Sequence, residues 1–372
     1  MPTRRTVLIL SASMGAGHDA AAAELARRLA AAGVDAEVTD VLDLLPFRLG
    51  AALRGWYGWM MRSAPWSYAL IYRAFFASGS VPSVSPLTVL VAARLRRLLL
   101  RRRPDEVVSA FHLAAQAAGH LRARGLLPVP STVLLTDFAA HRLWLHPGND
   151  RYLCPDPATA DAVRAATGRP ASWHAPLVRP EFLMDGATAR PRPDERRGDR
   201  PVLVSAGSWG VGGVERTARI LARSGRYVPV VLCGRNDELR RRLRRHLGRA
   251  GVALGWCDDM PALMAAAYAL IDNAAGLTCR EAMAAGVPVI SYLPIPGHGR
   301  EGALAMARAG LSVHARDAAE LLAALDRIGE EGGRARHAAP GARLFAAAPA
   351  ESFFNLSVLS GRPGGRAGTG PA

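Results

Sequence analysis

Gly15, Gly17, His18 and Ala20 sit between an apolar run, Thr6 to Leu10, and an alanine-rich stretch. Gly-x-Gly-x-x-Ala at a strand-to-helix junction is the spacing with which backbone amides approach a dinucleotide pyrophosphate, and Asp40 follows at about the ~20-residue interval at which an acid meets the ribose. His18 offers different chemistry, because an imidazole near neutrality can take a proton from an attacking hydroxyl. Farther on, Gly207, Gly210, Gly212 and Gly213 open another helix. Glycine there lets amides close on a diphosphate, and it serves a tight turn equally well. Glu281, four residues past Leu277 at a loop-to-helix junction, can accept hydrogen bonds from both hydroxyls of a ribose, or can simply be an acid favoured by the helix dipole. Hydride transfer would also need a nicotinamide pocket, and nothing later in the chain suggests one.

These residues need strands and helices to aim them. Short β-like runs alternate with helical ones throughout, which predicts an α/β fold with parallel sheets. A chain of 372 residues accommodates two domains. The segment from Pro201 (PVLVSAGSWGVGGVERTARIL) repeats the strand–glycine–helix logic of the opening, so two Rossmann-like halves are expected, 1–183 and 201–348. Between them, 184–200 is rich in proline, arginine and acids and reads as a linker. Residues 349–372 read as a tail, disordered at its glycine-rich end. In the second half the predicted order is strand 202–206, helix 214–223, strand 228–232, helix 237–248, GVALGW, helix 260–267, strand 268–271, helix 278–285 and strand 287–292. Loops 207–213, 255–259, 272–278 and 293–300 should then converge on one crevice beyond the carboxyl ends of the strands.

All 47 basic residues are arginine, and with 31 acids the formal charge is +16. The excess is even between the halves but not within them: Leu44 to Pro104 holds ten arginines and no acid. The same window carries Trp56, Trp59, Trp66, Tyr57, Tyr68, Tyr72, Phe47, Phe75 and Phe76. Aromatics among arginines suit a surface that meets anionic lipid headgroups. Within it, Leu87, Val91, Leu95 and Leu98 form one helical stripe and Arg94, Arg97 and Arg101 another, a pattern that also fits an ordinary core-packing helix with a solvated basic face. Bulk charge is all that speaks for nucleic acid, and no nucleic-acid module is recognised. Cys154, Cys233, Cys257 and Cys279 show no metal or disulfide spacing and read as buried thiols. Neither a signal peptide nor a transmembrane span is apparent, so a cytoplasmic, peripheral protein is expected.

The run Gly276-Leu-Thr-Cys-Arg-Glu-Ala-Met-Ala-Ala-Gly-Val-Pro-Val-Ile290 resembles the donor-binding signature of GT-B glycosyltransferases of family 28, those similar to monogalactosyldiacylglycerol synthase, processive diacylglycerol glucosyltransferases and the peptidoglycan enzyme MurG. Other segments fit in order: Ser11 to His18, Thr136-Asp-Phe138 with His141 to Trp144, Asp150 to Tyr152, Pro176 to Phe182, Cys233 to Asn236, and Pro294 to Gly297. The resemblance implies a GT-B fold, two Rossmann-like domains facing across a cleft. The Gly15 loop would face the acceptor side, the dinucleotide reading would lapse, and Asp40 would only end a strand.

What the resemblance implies for activity is inverting transfer of a hexose from a UDP-sugar to a diacylglycerol-like lipid at the cytoplasmic membrane surface. His18 would be the general base or would position the acceptor, and Asp137 would be the alternative base or would orient the acceptor. The donor set would comprise Gly207, Gly210, Gly212, Asn236, Trp256, Met260, Gly276, Leu277, Thr278, Glu281, Gly297 and His298. The amides and Thr278 would hold the diphosphate, Glu281 the ribose and the backbone near Trp256 the uracil. The acceptor and membrane set would comprise Gly15, Gly17, Trp56, Trp59, Trp66, Tyr72, Arg94, Arg97 and Arg101. With no Asp-x-Asp pair in a post-strand loop, neither metal nor cofactor is expected.

The family's Thr-Lys-x-Gly-Gly becomes Asp272-Asn-Ala-Ala-Gly276 here, and its sugar-touching Gln-Glu pair becomes His298-Gly299. The choice among galactose, glucose and N-acetylglucosamine stays open on these grounds. Two other readings remain beside transfer: a noncatalytic membrane-surface module with a degenerate donor site, and a nonhydrolysing UDP-sugar epimerase, against which the 44–104 window argues.

Overall fold

A computed structural model describes residues 4–74, 84–183 and 200–354. Phe75 and Phe76, nearly all of the expected linker and the glycine-rich end of the tail lie outside the described residues.

Short runs of three to six residues, mostly apolar, become the strands of two parallel sheets. The first holds β1 (Thr6–Ser11), β2 (Asp35–Asp40), β3 (Glu106–Ser109), β4 (Ser131–Leu134), β5 (Arg151–Cys154) and β6 (Ala171–Trp173), in the order β2-β1-β3-β4-β5-β6. Its helices are α1 (Ala16–Ala31), α2 (Leu49–Ser63), α3 (Pro65–Tyr72), α4 (Pro86–Arg102), α5 (His112–Ala123) and α6 (Pro157–Thr167). The second sheet holds β7 (Pro201–Ser205), β8 (Val228–Leu232), β9 (Val252–Leu254), β10 (Ala269–Asp272), β11 (Val289–Tyr292) and β12 (Val313–Ala315), in the order β12-β11-β10-β7-β8-β9. Around it lie α7 (Val214–Ser224), α8 (Asp237–Leu247), α9 (Met260–Ala265), α10 (Leu277–Ala284), α11 (His298–Arg308), α12 (Ala318–Ile328) and α13 (Gly333–Leu344). Strands buried on both faces read as continuous apolar runs, which is why β1 and β7 are legible while β2, at an edge, is half polar.

Strand order reverses between β1 and β3 in the first sheet and between β7 and β10 in the second. In open parallel sheets a crevice forms beyond the carboxyl ends of the strands at such points. Both reversal points, and the helix N-termini that follow β1 and β10, face one cleft. An apolar cluster crosses it: Phe138, Val178 and Phe182 pack with Leu203, Met264, Ala282 and Met283.

Two stretches differ from the sequence reading. Periodicity fades after Gly329, yet α13 forms there, because its buried face is made of small residues; a Cβ on Gly341 would stand 2.8 Å from Met283 Cγ. The first residues of the expected tail, Ala350–Phe354, return to the first sheet as a short 3-10 turn. Phe354 is buried under the Arg151 guanidinium, 5.1 Å above its ring, and Arg151 donates to the Phe353 carbonyl at 2.7 Å.

Candidate active site

β1 ends in the loop Ala12–Gly15 and α1 starts without a capping side chain. Across the cleft, α10 likewise starts at Gly276 with no capping side chain and no acid in its first turn. Those first turns leave backbone amides unpaired and positive. They lie against one another: a Cβ on Gly17 would be 3.6 Å from Leu277 Cβ. A Cβ on Gly15 or Gly276 would meet no protein atom within 4 Å, so packing explains neither glycine. Asp40, by contrast, is consumed by the fold. Its carboxylate accepts Ser13 Oγ at 2.5 Å, the Leu42 amide at 2.8 Å and Arg54 at 2.9 Å, which leaves it no dinucleotide role.

His18, in the first turn of α1, places Nδ1 2.7 Å from Thr136 Oγ1 and packs edge-on against Phe111 at 5.1 Å. Asp137 follows on the same loop beyond β4 and accepts the Trp144 indole N–H at 2.8 Å, with His141 Nε2 3.8 Å away. Burial would raise the Asp137 pKa, but the imidazoles of His18, His141 and His298 and the indole hydrogen bond outweigh it, and the carboxyl is held below its ordinary value. His112 meets His141 edge-to-face at 5.2 Å between centroids. Burial pushes His112 and His298 down and takes His141 down to about 4, against the pull of the Asp137 carboxylate, which raises all three. The sequence reading held His18, Asp137 and His298 but missed His112, whose only sign was its place at the turn after β3, the other strand of the reversal point.

On the second sheet, Gly207, Gly210 and Gly212 all have positive φ, at 64°, 64° and 94°. At Gly212 a Cβ would also fall 2.2 Å from Asn273 Nδ2. Asn236 spends both ends of its amide on the fold, donating to the Gly210 carbonyl at 2.9 Å and capping α8 through the Leu239 amide at 3.0 Å. It therefore braces the glycine loop rather than offering free polar atoms to it. Trp209, in that loop, was not singled out from sequence. Its indole N–H donates to the Met14 carbonyl at 2.8 Å, and its ring occupies the space a side chain at Gly58 would need, 2.5 Å from that Cβ. Trp256 is half-exposed with the Arg235 guanidinium 4.5 Å over its ring, and Met260 begins α9.

Thr278 lies in the first turn of α10 and Glu281 one turn further in. Glu281 is buried, and among the described residues no hydrogen bond reaches its carboxylate. Burial raises its pKa to about 7, with Arg179 drawing it back only slightly. Beside it Arg280, also buried, reaches across the cleft to donate to the Thr136 carbonyl and covers the Phe138 ring at 4.5 Å.

The acid-free window divides into two faces. Tyr68 and Tyr72 turn inward: Tyr68 Oη lies 2.6 Å from His298 Nδ1, and Tyr72 Oη donates to Glu301 Oε2 at 2.5 Å. Gly297, with φ 77°, lets them approach; a Cβ there would be 2.7 Å from Tyr72 Cγ. Tyr72, expected in the acceptor and membrane set, faces the domain interface, because the α11 N-terminus offers its hydroxyl a carboxylate partner. Trp56 and Trp59 on α2, and Trp66 and Leu70 on α3, turn outward, Trp66 being 67% exposed. Phe47, just before α2, is fully exposed. On α4 the stripe Val91, Leu95 and Leu99 is buried while Leu90, Arg94, Arg97, Leu100 and Arg101 are exposed. Among the described residues no helix is long and apolar enough to cross a membrane, and all four cysteines are unpaired.

Comparison with known proteins adds sequence kinship to this geometry. Residues 18–172 match the family model described as monogalactosyldiacylglycerol (MGDG) synthase, and residues 202–331 match that of glycosyl transferases group 1. A processive diacylglycerol beta-glucosyltransferase of Bacillus mycoides (strain KBAB4) is 29% identical over 250 residues, which is 63% of this chain and 62% of the relative. That of Bacillus cytotoxicus is 30% identical over 240 residues, 61% of this chain and 60% of the relative. The matched region thus spans less than two thirds of the curated relatives' length. Among solved structures, MurG of Acinetobacter baumannii superposes with a TM-score of 0.58 at 16% identity, over 95% of this chain and 98% of that one. Anabaena HepE in complex with UDP and glucose superposes with 0.51 at 13% identity, over 92% and 95%. At such identities the superpositions speak for the fold. With two facing parallel sheets, the chain has the fold of the GT-B glycosyltransferases; in chain order, residues 18–172 are similar to monogalactosyldiacylglycerol synthase and residues 202–331 to group 1 glycosyl transferases.

Proposed function

We propose that this chain is an inverting hexosyltransferase that moves galactose or glucose from a UDP-sugar to a diacylglycerol-like lipid at the cytoplasmic face of a membrane. The observation that carries the reading is Glu281, a largely buried carboxylate that accepts no hydrogen bond among the described residues, one turn inside an uncapped helix N-terminus. A largely buried acid that accepts no hydrogen bond is costly unless something supplies donors. The two hydroxyls of a ribose would do so, while the Leu277 and Thr278 amides would meet the diphosphate.

The leaving UDP gains negative charge as the glycosidic bond breaks, and preorganised amides at α10 stabilise it without a divalent metal. On the other side of the sugar, His18 takes the acceptor's proton. For Nε2 to do this, Nδ1 must carry the hydrogen and donate it to Thr136 Oγ1. Asp137, ionised, steadies the resulting imidazolium and can orient the acceptor hydroxyl. In-line attack on an α-linked donor gives the inverted product. His298, held by Tyr68, takes the place of the residues that would read the sugar. The matched relatives' activity on diacylglycerol and the outward tryptophans and arginines support a lipid acceptor.

The test is incubation with anionic vesicles containing diacylglycerol and, separately, UDP-galactose, UDP-glucose and UDP-N-acetylglucosamine. Glycolipid and UDP from one donor, lost in His18→Ala and Glu281→Ala, is the expected result. Neither turnover nor UDP binding would leave the noncatalytic membrane module, and sugar interconversion without lipid would leave the epimerase.

A further inference from the structure

Arg280 is a buried cation with no carboxylate paired to it among the described residues. Its guanidinium donates to the Thr136 carbonyl and lies 4.5 Å over the Phe138 ring, both on the opposite sheet's loop beyond β4. Asp137 and Asp156 favour its charge only through space. Burying a guanidinium with so little compensation is expensive, and an apolar side chain of similar length would cost less. Stability alone therefore does not account for it.

Its position suggests what does. Arg280 follows the uncapped first turn of α10 and immediately precedes Glu281, so it moves with both candidate donor contacts. At its far end it grips Thr136, whose hydroxyl is 2.7 Å from His18 Nδ1. Three groups are thus in series: the donor helix, the loop beyond β4 and the imidazole. Resting on the transferase reading above, we infer that Arg280 is a positioning residue that ties the donor-binding helix to the Thr136–His18 pair, so that seating of the nucleotide is transmitted to the candidate base. The guanidinium reaches that carbonyl because the loop beyond β4 and the start of α10 stand this close.

The test uses the full chain with UDP alone and with the UDP-sugar and diacylglycerol vesicles. Arg280→Met keeps the length and loses the donors; Arg280→Lys keeps one donor. The expected result is that Arg280→Met binds UDP within about threefold of the parent and melts no lower, while kcat falls about tenfold or more and the acid limb of the kcat/KM profile moves. Arg280→Lys should recover part of kcat. Independently of turnover, UDP should slow amide exchange at residues 136–138 in the parent and not in Arg280→Met. Unchanged kcat, or a loss of kcat matched by an equal loss of UDP affinity, would overturn the inference. So would UDP failing to protect residues 136–138 of the parent. A parent that binds UDP and protects that loop but makes no glycolipid would instead count against the lipid-transferase reading alone.

Discussion

Thr136 Oγ1 lies 2.7 Å from His18 Nδ1, and that contact decides which imidazole nitrogen is left for chemistry. Partners of this kind fix the tautomer and aim of a working histidine, and their loss costs about 10–100-fold at comparable metal-bound rings. Thr136→Val should therefore lower kcat by about tenfold with UDP affinity unchanged, while Thr136→Ser should stay near the parent. Steady-state turnover with isothermal titration of UDP checks both. A Val variant with full kcat would remove Thr136 from the mechanism.

UDP binding should depend on pH through Glu281. Burial raises this carboxyl to about 7, and the ionised form is what ribose hydroxyls need. Affinity should rise between about pH 6 and pH 8 with release of a proton, and Glu281→Gln should bind more weakly and flatten the dependence. In the unliganded protein the sign is opposite. The charged form is penalised in the folded state, so this group's contribution is full in the acid range and declines as pH climbs towards about 7. Titration calorimetry in buffers of different ionisation enthalpy reads the proton count directly.

Acid should destabilise the fold well above the carboxylate range. His141 and His174 are both depressed to about 4 by burial, and His112 and His298 are also lowered. An unfolded histidine takes its proton near pH ~6.5, so stability is present above that value and is lost as pH falls towards about 4. Melting temperature should drop steeply across this window. His174, whose Nδ1 is 2.8 Å from the Ala175 carbonyl, is the place to test it, and His174→Gln should shallow the slope.

Ala275 stands where the family signature has glycine, and its φ is 51°. A non-glycine residue there carries about 1 kcal/mol of backbone strain. Ala275→Gly should gain about 0.5–1 kcal/mol, readable as a higher denaturant midpoint at unchanged slope. A lower midpoint would mean that the Ala275 methyl, buried in the cluster with Met306 and Cys279, is worth more than the strain.

Replacing Trp56, Trp59 and Trp66 together with alanine should abolish flotation on anionic vesicles while leaving UDP binding in solution untouched, since all three are exposed. Arg94, Arg97 and Arg101 to glutamine should make residual flotation less sensitive to salt. A triple Trp variant that still floats fully would put the membrane contact elsewhere.

Much of this was legible in the sequence because the information was local. Continuous apolar runs announced β1, β7 and β10, glycine clusters announced the turns after β1 and β7, and the signature from Gly276 onward announced α10 and Glu281. What stayed hidden depends on contacts between residues far apart in the chain. Nothing near Arg280 in sequence indicates that it reaches Thr136, and nothing near Trp209 that it fills the space left by Gly58. Tyr72 read as part of an aromatic surface because composition does not say which face of α3 is inside. His112 had no local motif, only a position that gains meaning once β3 is known to neighbour β1.

α3 is a helix of eight residues with Trp66 and Leu70 outside and Tyr68 and Tyr72 inside. Both inner hydroxyls are fastened to the start of α11, through His298 and Glu301. A load on the outer pair would reach the start of α11 through those two hydroxyls. A bilayer would then be more than the place where the acceptor is found, since leaning on it would help set the shape of the pocket.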